Sequence, residues 1–193
     1  RQDITILVAT GTHRPNTREE LESMVGPAIV RSYRIENHVA TDRESHDYLG
    51  ETPRGVPIWV DRRFLQADLK ISVALVEPHF MAGDSGGRKS VCPGICGMDT
   101  VEIWHGPRFI GHELSDAGSV EGNPVHEDSL FIARKAGLGG TGAVTLDQQR
   151  NIIGLYAGEV EAAWHRSIRS AESIAKACLR RPVDIAITST AGY

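Results

Sequence analysis

Three short apolar runs punctuate a mostly polar chain: residues 4–10 (ITILVAT), 69–77 (LKISVALVE) and 183–188 (VDIAIT). Each is rich in β-branched residues and short, so each predicts a strand buried on both faces, as in an α/β sheet. Between the first two the period changes. Leu21, Met24 and Val25 form a helical stripe behind Thr17-Arg18-Glu19-Glu20, a capping box in which the Thr17 hydroxyl and the Glu20 carboxylate satisfy free N–H groups. Gly26-Pro27 ends that helix. Residues 33–37 predict a short strand, and 47–51 with 56–60 predict a hairpin turned by Thr52-Pro53-Arg54-Gly55. A short helical pattern spans 61–68.

Further along, Asp99 with Glu102 three residues on predicts the cap of a helix ending near His105-Gly106. Asn123-Pro124 reads as N-cap and first residue of a helix to about Ala136, closed by Gly137. Residues 143–146 and 152–156 bracket a polar turn and predict a second hairpin. Residues 159–181 repeat Val160, Trp164, Ile168, Ala171, Ala175 and Cys178 as a long amphipathic helix. The fold expected is α/β: a mixed sheet with flanking helices over residues 1–181, then the start of a second α/β domain at 182–193. Arg1 stands almost directly before a strand and Tyr193 soon after one, which predicts a fragment of a longer polypeptide.

Composition narrows the function classes. At 193 residues the chain is long enough to bury a sizeable core. A net charge of −4, with no dense Lys/Arg run interleaved with aromatics, argues against a nucleic-acid surface. No apolar stretch approaches bilayer length and no signal-peptide pattern opens the chain, so the expected location is cytoplasmic, with no membrane partner. Three cysteines are an odd number for a disulfide framework, and Cys92 and Cys96, spaced C-x₃-C, read as small buried thiols.

The chemistry concentrates in residues 77–105, EPHFMAGDSGGRKSVCPGICGMDTVEIWH. Glycines let a ligand approach the main chain, so Ser85-Gly86-Gly87 can present N–H donors to an anion. Lys89 beside them can pair with a phosphate or, if desolvated, act as a neutral nucleophile. His79 and His105 flank the lysine, and imidazole suits either acid/base chemistry or metal binding. His13 follows the first strand, at the carboxyl end where open α/β sheets place ligand groups. It reads equally as a site residue or a solvated loop histidine. His13 and His79 each follow a buried-type strand by two or three residues, an arrangement that places them on one edge of one sheet. His38, His46, His112, His126 and His165 read as solvated. Residues 83–90 resemble a Walker A loop with Arg88 in place of the second glycine, but Pro93-Gly94 interrupt the helix that a phosphate-binding loop requires.

Thr10-Gly11-Thr12-His13-Arg14-Pro15, Glu77-Pro78-His79-Phe80 and Ser85-Gly86-Gly87-Arg88-Lys89, in that order, resemble the amino-terminal domain of the lactate racemase (LarA) family. The likeness runs on through Pro93-Gly94, His105 and Glu121-Gly122-Asn123-Pro124 to the last residues. It implies a racemase or epimerase of a lactate-like 2-hydroxy acid. In the family a nickel-pincer nucleotide is tethered through a thioamide to a lysine matching Lys89, its nickel takes a histidine matching His105, and two acid/base histidines match His13 and His79. Hydride leaves the substrate for the cofactor while one histidine takes the hydroxyl proton, and returns to the other face as the second histidine donates. The resemblance also implies cofactor-synthesising proteins as partners. Other readings of the same residues are a non-catalytic module binding an anion or phosphoryl ligand, and a nucleotide hydrolase on the near-Walker loop.

Overall fold

The computed structural model describes residues 2–178, 180, 181, 183–185 and 187. It is a mixed α/β fold built from small sheets. Strand β1 (Thr5–Val8) leads through helices α1 (Arg18–Val25) and α2 (Pro27–Ser32) to β2 (Arg34–Asn37), which pairs with β1 in parallel. The capping box forms: the Thr17 hydroxyl accepts from the Glu20 N–H, and the Thr17 N–H donates to the Glu20 carboxylate at 2.8 Å. Gly26-Pro27 ends α1 but starts α2, because Gly26 takes a positive φ of 86° and Pro27 then supplies a preset first helical residue.

The predicted hairpin is β3 (His46–Glu51) with β4 (Pro57–Asp61), antiparallel. It is followed by α3 (Arg62–Leu65) and β5 (Ile71–Leu75). Two tiny strands, β6 (Pro78–His79) and β7 (Gly83–Asp84), pair within the next loop, which leads to α4 (Met98–Trp104), α5 (Pro107–Ile110) and α6 (Pro124–Lys135). Strand β8 (Gly140–Leu146) lies parallel to β5 and antiparallel to β9 (Ile152–Gly158), and α7 (Val160–Ala175) closes the order.

Several expectations are corrected. Strands β1 and β5 belong to different sheets, and neither is buried on both faces. On β5, Ser72 is buried while Ile71 and Val73 are exposed, Val73 by 76 %. The reason is one-sided cover: Trp164, Ile168 and Ala171 of α7 pack with Val76 and Ala143 beneath this sheet, whereas Ile71, Val73, Leu75 and Leu155 remain exposed. Helix α4 takes Gly97 as its N-cap, and Asp99 lies in the first turn, where its charge suits the helix N-terminus. Helix α7 ends at Ala175 because Lys176 turns extended, so Cys178 is exposed rather than part of the apolar stripe. Of the strand expected at 183–188, residues 183–185 and 187 are described and form no strand, with Val183, Ile185 and Ile187 exposed, while most of the second-domain start expected at 182–193 lies outside the described residues.

The main core joins β4, the 91–96 segment, α4 and α6 through Ile58, Val60, Val91, Cys92, Trp104, Val125 and Ile132. Cys92 and Cys96 are buried free thiols as expected. Three histidines expected in solvent are buried instead. His38 is held between the Asp61 carboxylate at 3.2 Å and the Cys96 carbonyl at 3.0 Å. His46 opens β3 with Nδ1 donating to the Asp42 carbonyl at 2.8 Å, and His126 stacks on Trp164 with ring centroids 4.9 Å apart. His38 and His126 have partners distant in sequence, and the His46 ring, bonded locally to Asp42, lies against Gly97 and His38; a local pattern displays none of this cover.

Candidate active site

The functional loop begins where β5 ends. Ser85 Oγ donates to the Leu75 carbonyl at 2.9 Å and accepts from the Glu77 N–H at 3.0 Å, and the Ser85 N–H donates to the Glu77 carbonyl at 2.8 Å. These bonds fold residues 77–85 back over the strand end. Gly86 follows with φ 75°, and a Cβ there would lie 2.6 Å from a Val76 methyl and 3.0 Å from the Leu75 carbonyl oxygen. Only glycine allows the turn to lie this close to the strand. The chain then makes a single 3₁₀ turn, Gly87–Ser90, which carries Lys89. That turn does not continue into a long helix, so it lacks the helix N-terminus of a nucleotide-phosphate loop.

Three of the four predicted site residues come together. Lys89 is half-buried, and burial, reinforced by the positive charge of Arg88, pushes its amine down to about 8. His79 is half-buried on β6; burial, then the charges of Lys89, Arg88 and His105, holds its imidazole down to about 4. Its Nδ1 accepts from the Met81 and Ala82 N–H groups at 3.4 and 3.3 Å. His105 is the C-cap of α4, its ring against Trp104 at 4.7 Å, and burial followed by Lys89 lowers its pKa too. Mutual electrostatic influence among His79, Lys89 and His105 is what one shared site produces.

His13 is placed differently. It is exposed on the turn after β1, and its ring makes no hydrogen bond among the described residues. Its turn is nevertheless tied to the lysine segment, because the Gly11 N–H donates to the Gly94 carbonyl at 2.9 Å. A Cβ on Gly94 would lie 2.5 Å from the Ser90 carbonyl oxygen and 2.8 Å from the Ala9 methyl. The two segments therefore pack backbone to backbone.

Beneath the lysine lies a buried polar group that the pattern of the chain does not single out. Arg88 is 1 % exposed, with its guanidinium carbon 3.9 Å from the Trp164 ring centroid and Nη2 donating to the Ala82 carbonyl at 2.6 Å. Asp84 is fully buried beside it, with neither carboxylate oxygen hydrogen-bonded among the described residues. Burial pushes its carboxyl up to about 6 against the opposing pull of Arg88. His126 completes the group, driven down to about 3 by burial and then by Arg88. The one sequence signal was Arg88 itself, standing where a Walker A loop has glycine.

No cluster of three or more His, Cys, Asp or Glu side chains is arranged to hold a metal ion among the described residues. A metal here would need most of its ligands from elsewhere. Among the described residues no helix is long and apolar enough to cross a membrane.

The family described as the lactate racemase N-terminal domain matches residues 1–118, more than half of the chain and the part that holds His13, His79, Lys89 and His105. The chain belongs to that family. It is 40 % identical over 196 residues to the lactate racemase of Lactiplantibacillus plantarum, covering 98 % of this chain and 45 % of that protein. It is 34 % identical over 191 residues to the lactate racemase of Thermoanaerobacterium thermosaccharolyticum, with 99 % and 45 % covered. The solved structure of the lactate racemase apoprotein from the latter organism superposes with a TM-score of 0.87 at 32 % identity, over 89 % of this chain and 41 % of that one. A Thermotoga maritima protein shares the fold, with a TM-score of 0.76 at 23 % identity. The chain thus spans less than half the length of the curated relatives it matches.

Proposed function

We propose that this domain forms the cofactor-bearing half of a racemase or epimerase acting on a lactate-like 2-hydroxy acid. The observation that carries the reading is the clustering of His79, Lys89 and His105 around a half-buried lysine whose amine is pushed down to about 8. An amine of that kind is partly neutral near physiological pH and suits covalent attachment of a cofactor.

In this reading Lys89 is the attachment point of a nickel-pincer nucleotide, and His105 supplies one nitrogen to its nickel. The residues fit such a group on two counts. A single histidine with no further ligand cluster among the described residues matches a metal that arrives with its own organic ligands. The turn at Gly86 and Gly87, both at positive φ, brings bare backbone to the lysine. When bound, the cofactor accepts and returns the substrate hydride.

The chain's own residues do the proton work and the positioning. His13 and His79 serve as acid and base at the substrate hydroxyl, one for each enantiomer. His79 enters that role uncharged, because burial and neighbouring positive charge oppose its protonation. His13 and the lysine segment keep their relation through the Gly11–Gly94 contact. The substrate's remaining contacts come from the part of the relatives' length that this chain does not span. Proteins that synthesise the cofactor are the expected partners, and a cytoplasmic setting suits the free thiols.

The test is the intact mass of the full-length protein, produced together with cofactor-synthesising enzymes shown to be active on a known relative. A nickel-containing adduct on wild type and none on Lys89→Ala is expected, with racemisation of a 2-hydroxy acid by wild type alone. An unmodified wild type would sink this reading and favour a non-catalytic module binding an anion through Lys89 and the Ser85 to Gly87 turn.

A further inference from the structure

Ala82 is clamped from both ends. Its carbonyl accepts from Arg88 Nη2 at 2.6 Å, as well as from the Asp84 N–H at 3.0 Å, and its N–H donates to His79 Nδ1 at 3.3 Å. The residue is fully buried, as is Met81, whose N–H also points to His79 Nδ1. Arg88 is held in turn. Its guanidinium lies over Trp164, and the Trp164 indole N–H donates to the Ser85 carbonyl at 2.7 Å, so one side chain anchors the turn at two places. Together these contacts run from Trp164 through Arg88 and Ala82 to the His79 ring.

We infer that Arg88 is a positioning residue for His79: by fixing Ala82, it holds the imidazole with Nδ1 as acceptor and Nε2 as the nitrogen that carries the proton. The assignment follows from donor arithmetic. A backbone N–H can only donate, so the Nδ1 that receives two of them is unprotonated, and a neutral imidazole then bears its hydrogen on Nε2. Nε2 is left free for substrate. The tautomer is that of the resting, cofactor-free ring: a neutral imidazole does not give up its Nε2 proton, so in the proposed acid/base function, on which this bearing on turnover rests, His79 takes a proton only after its ring leaves the two N–H groups. The buried positive charge of Arg88 also opposes a second proton on the ring, in the same sense as the lowered pKa of His79.

The experiment is long-range ¹H–¹⁵N correlation spectroscopy of the cofactor-free, full-length protein labelled at histidine, with the His79 signals assigned by His79→Gln. Wild type is expected to show a pyridine-type Nδ1 and a pyrrole-type Nε2. In Arg88→Met the separation between the two nitrogen shifts should collapse toward the tautomeric average, and Arg88→Lys, which keeps a cationic donor for the Ala82 carbonyl, should restore it. Three results overturn the inference: Nδ1 protonated in wild type, the wild-type pattern retained in Arg88→Met, or equal loss in both variants, which assigns Arg88 to packing alone. The wild-type spectrum needs no variant, so a misfolded Arg88→Met leaves the inference testable. The spectra do not depend on turnover, so a protein that fails to racemise 2-hydroxy acids while keeping this pattern refutes the functional reading and not the positioning.

Discussion

The N–H of Gly11 donates to the carbonyl of Gly94 at 2.9 Å, and that bond joins two segments of the candidate site that are far apart in sequence. Gly94 has no room for a side chain: a Cβ would meet the Ser90 and Lys89 carbonyl oxygens at 2.5 and 2.9 Å and the Ala9 methyl at 2.8 Å. Gly94→Ala must push the segments apart. The expected cost is about 1–3 kcal/mol, the usual range for overpacking, read as a lower denaturant midpoint at unchanged slope. An unchanged midpoint would show that the contact is loose enough to absorb a methyl group.

The state of Lys89 predicts a pH profile for its reactivity. With its amine pushed down to about 8, roughly a tenth is neutral at pH 7, against roughly one part in two to three thousand for an ordinary lysine. Labelling by an amine-selective reagent, followed on the Lys89 peptide by mass spectrometry, should rise through an inflection about two units below that of the exposed lysines. An inflection in the ordinary lysine range would contradict the desolvated environment.

His126 and Asp84 bear on acid stability with opposite signs. His126 is held down to about 3 in the fold and has an ordinary value near 6.5 when unfolded, so the unfolded chain binds the extra proton. Its contribution to stability is therefore complete above about 6.5 and is lost as pH falls from there toward 3. Asp84, raised to about 6 from 3.8, favours the folded state below 3.8 and loses that contribution as pH rises through 6. Between about 4 and 6 the two oppose each other. His126→Phe, which keeps an aromatic ring against Trp164, should flatten the acid loss of thermal midpoint between pH 6.5 and 4. Asp84→Asn should steepen it.

Helix α1 offers a local control. Thr17→Ala removes the hydroxyl that accepts from the Glu20 N–H and should cost about 1 kcal/mol, with no effect on the Lys89 labelling profile. A shift in that profile would mean that α1 and the lysine turn are coupled.

Much of this molecule was legible from local pattern. The capping box at Thr17, the β3–β4 and β8–β9 hairpins and the helix opened by Asn123-Pro124 depend on neighbours in sequence, and each formed. Burial was less legible. His38, His46 and His126 carry no sequence mark of being core residues, because Asp61, Gly97 and Trp164, which cover them, are brought by tertiary contact. The apolar strands β1 and β5 promised two covered faces, but a strand's hydrophobicity does not say which part of the protein covers it. Within the site, His79, Lys89 and His105 share one short segment, and the charge of Lys89 acts on both imidazoles. Arg88 was visible only as a departure from a familiar loop. What it touches depends on Trp164, which lies on α7, far away in sequence.

The uncovered face of the β5–β8–β9 sheet has a practical consequence for handling the protein. Ile71, Val73, Leu75 and Leu155 form hydrophobic surface, and such surface invites self-adhesion when molecules are crowded. Light scattering of this domain prepared by itself should climb with concentration and fall when Val73→Thr and Leu155→Thr are combined. Samples for spectroscopy are best kept dilute or handled as the intact polypeptide.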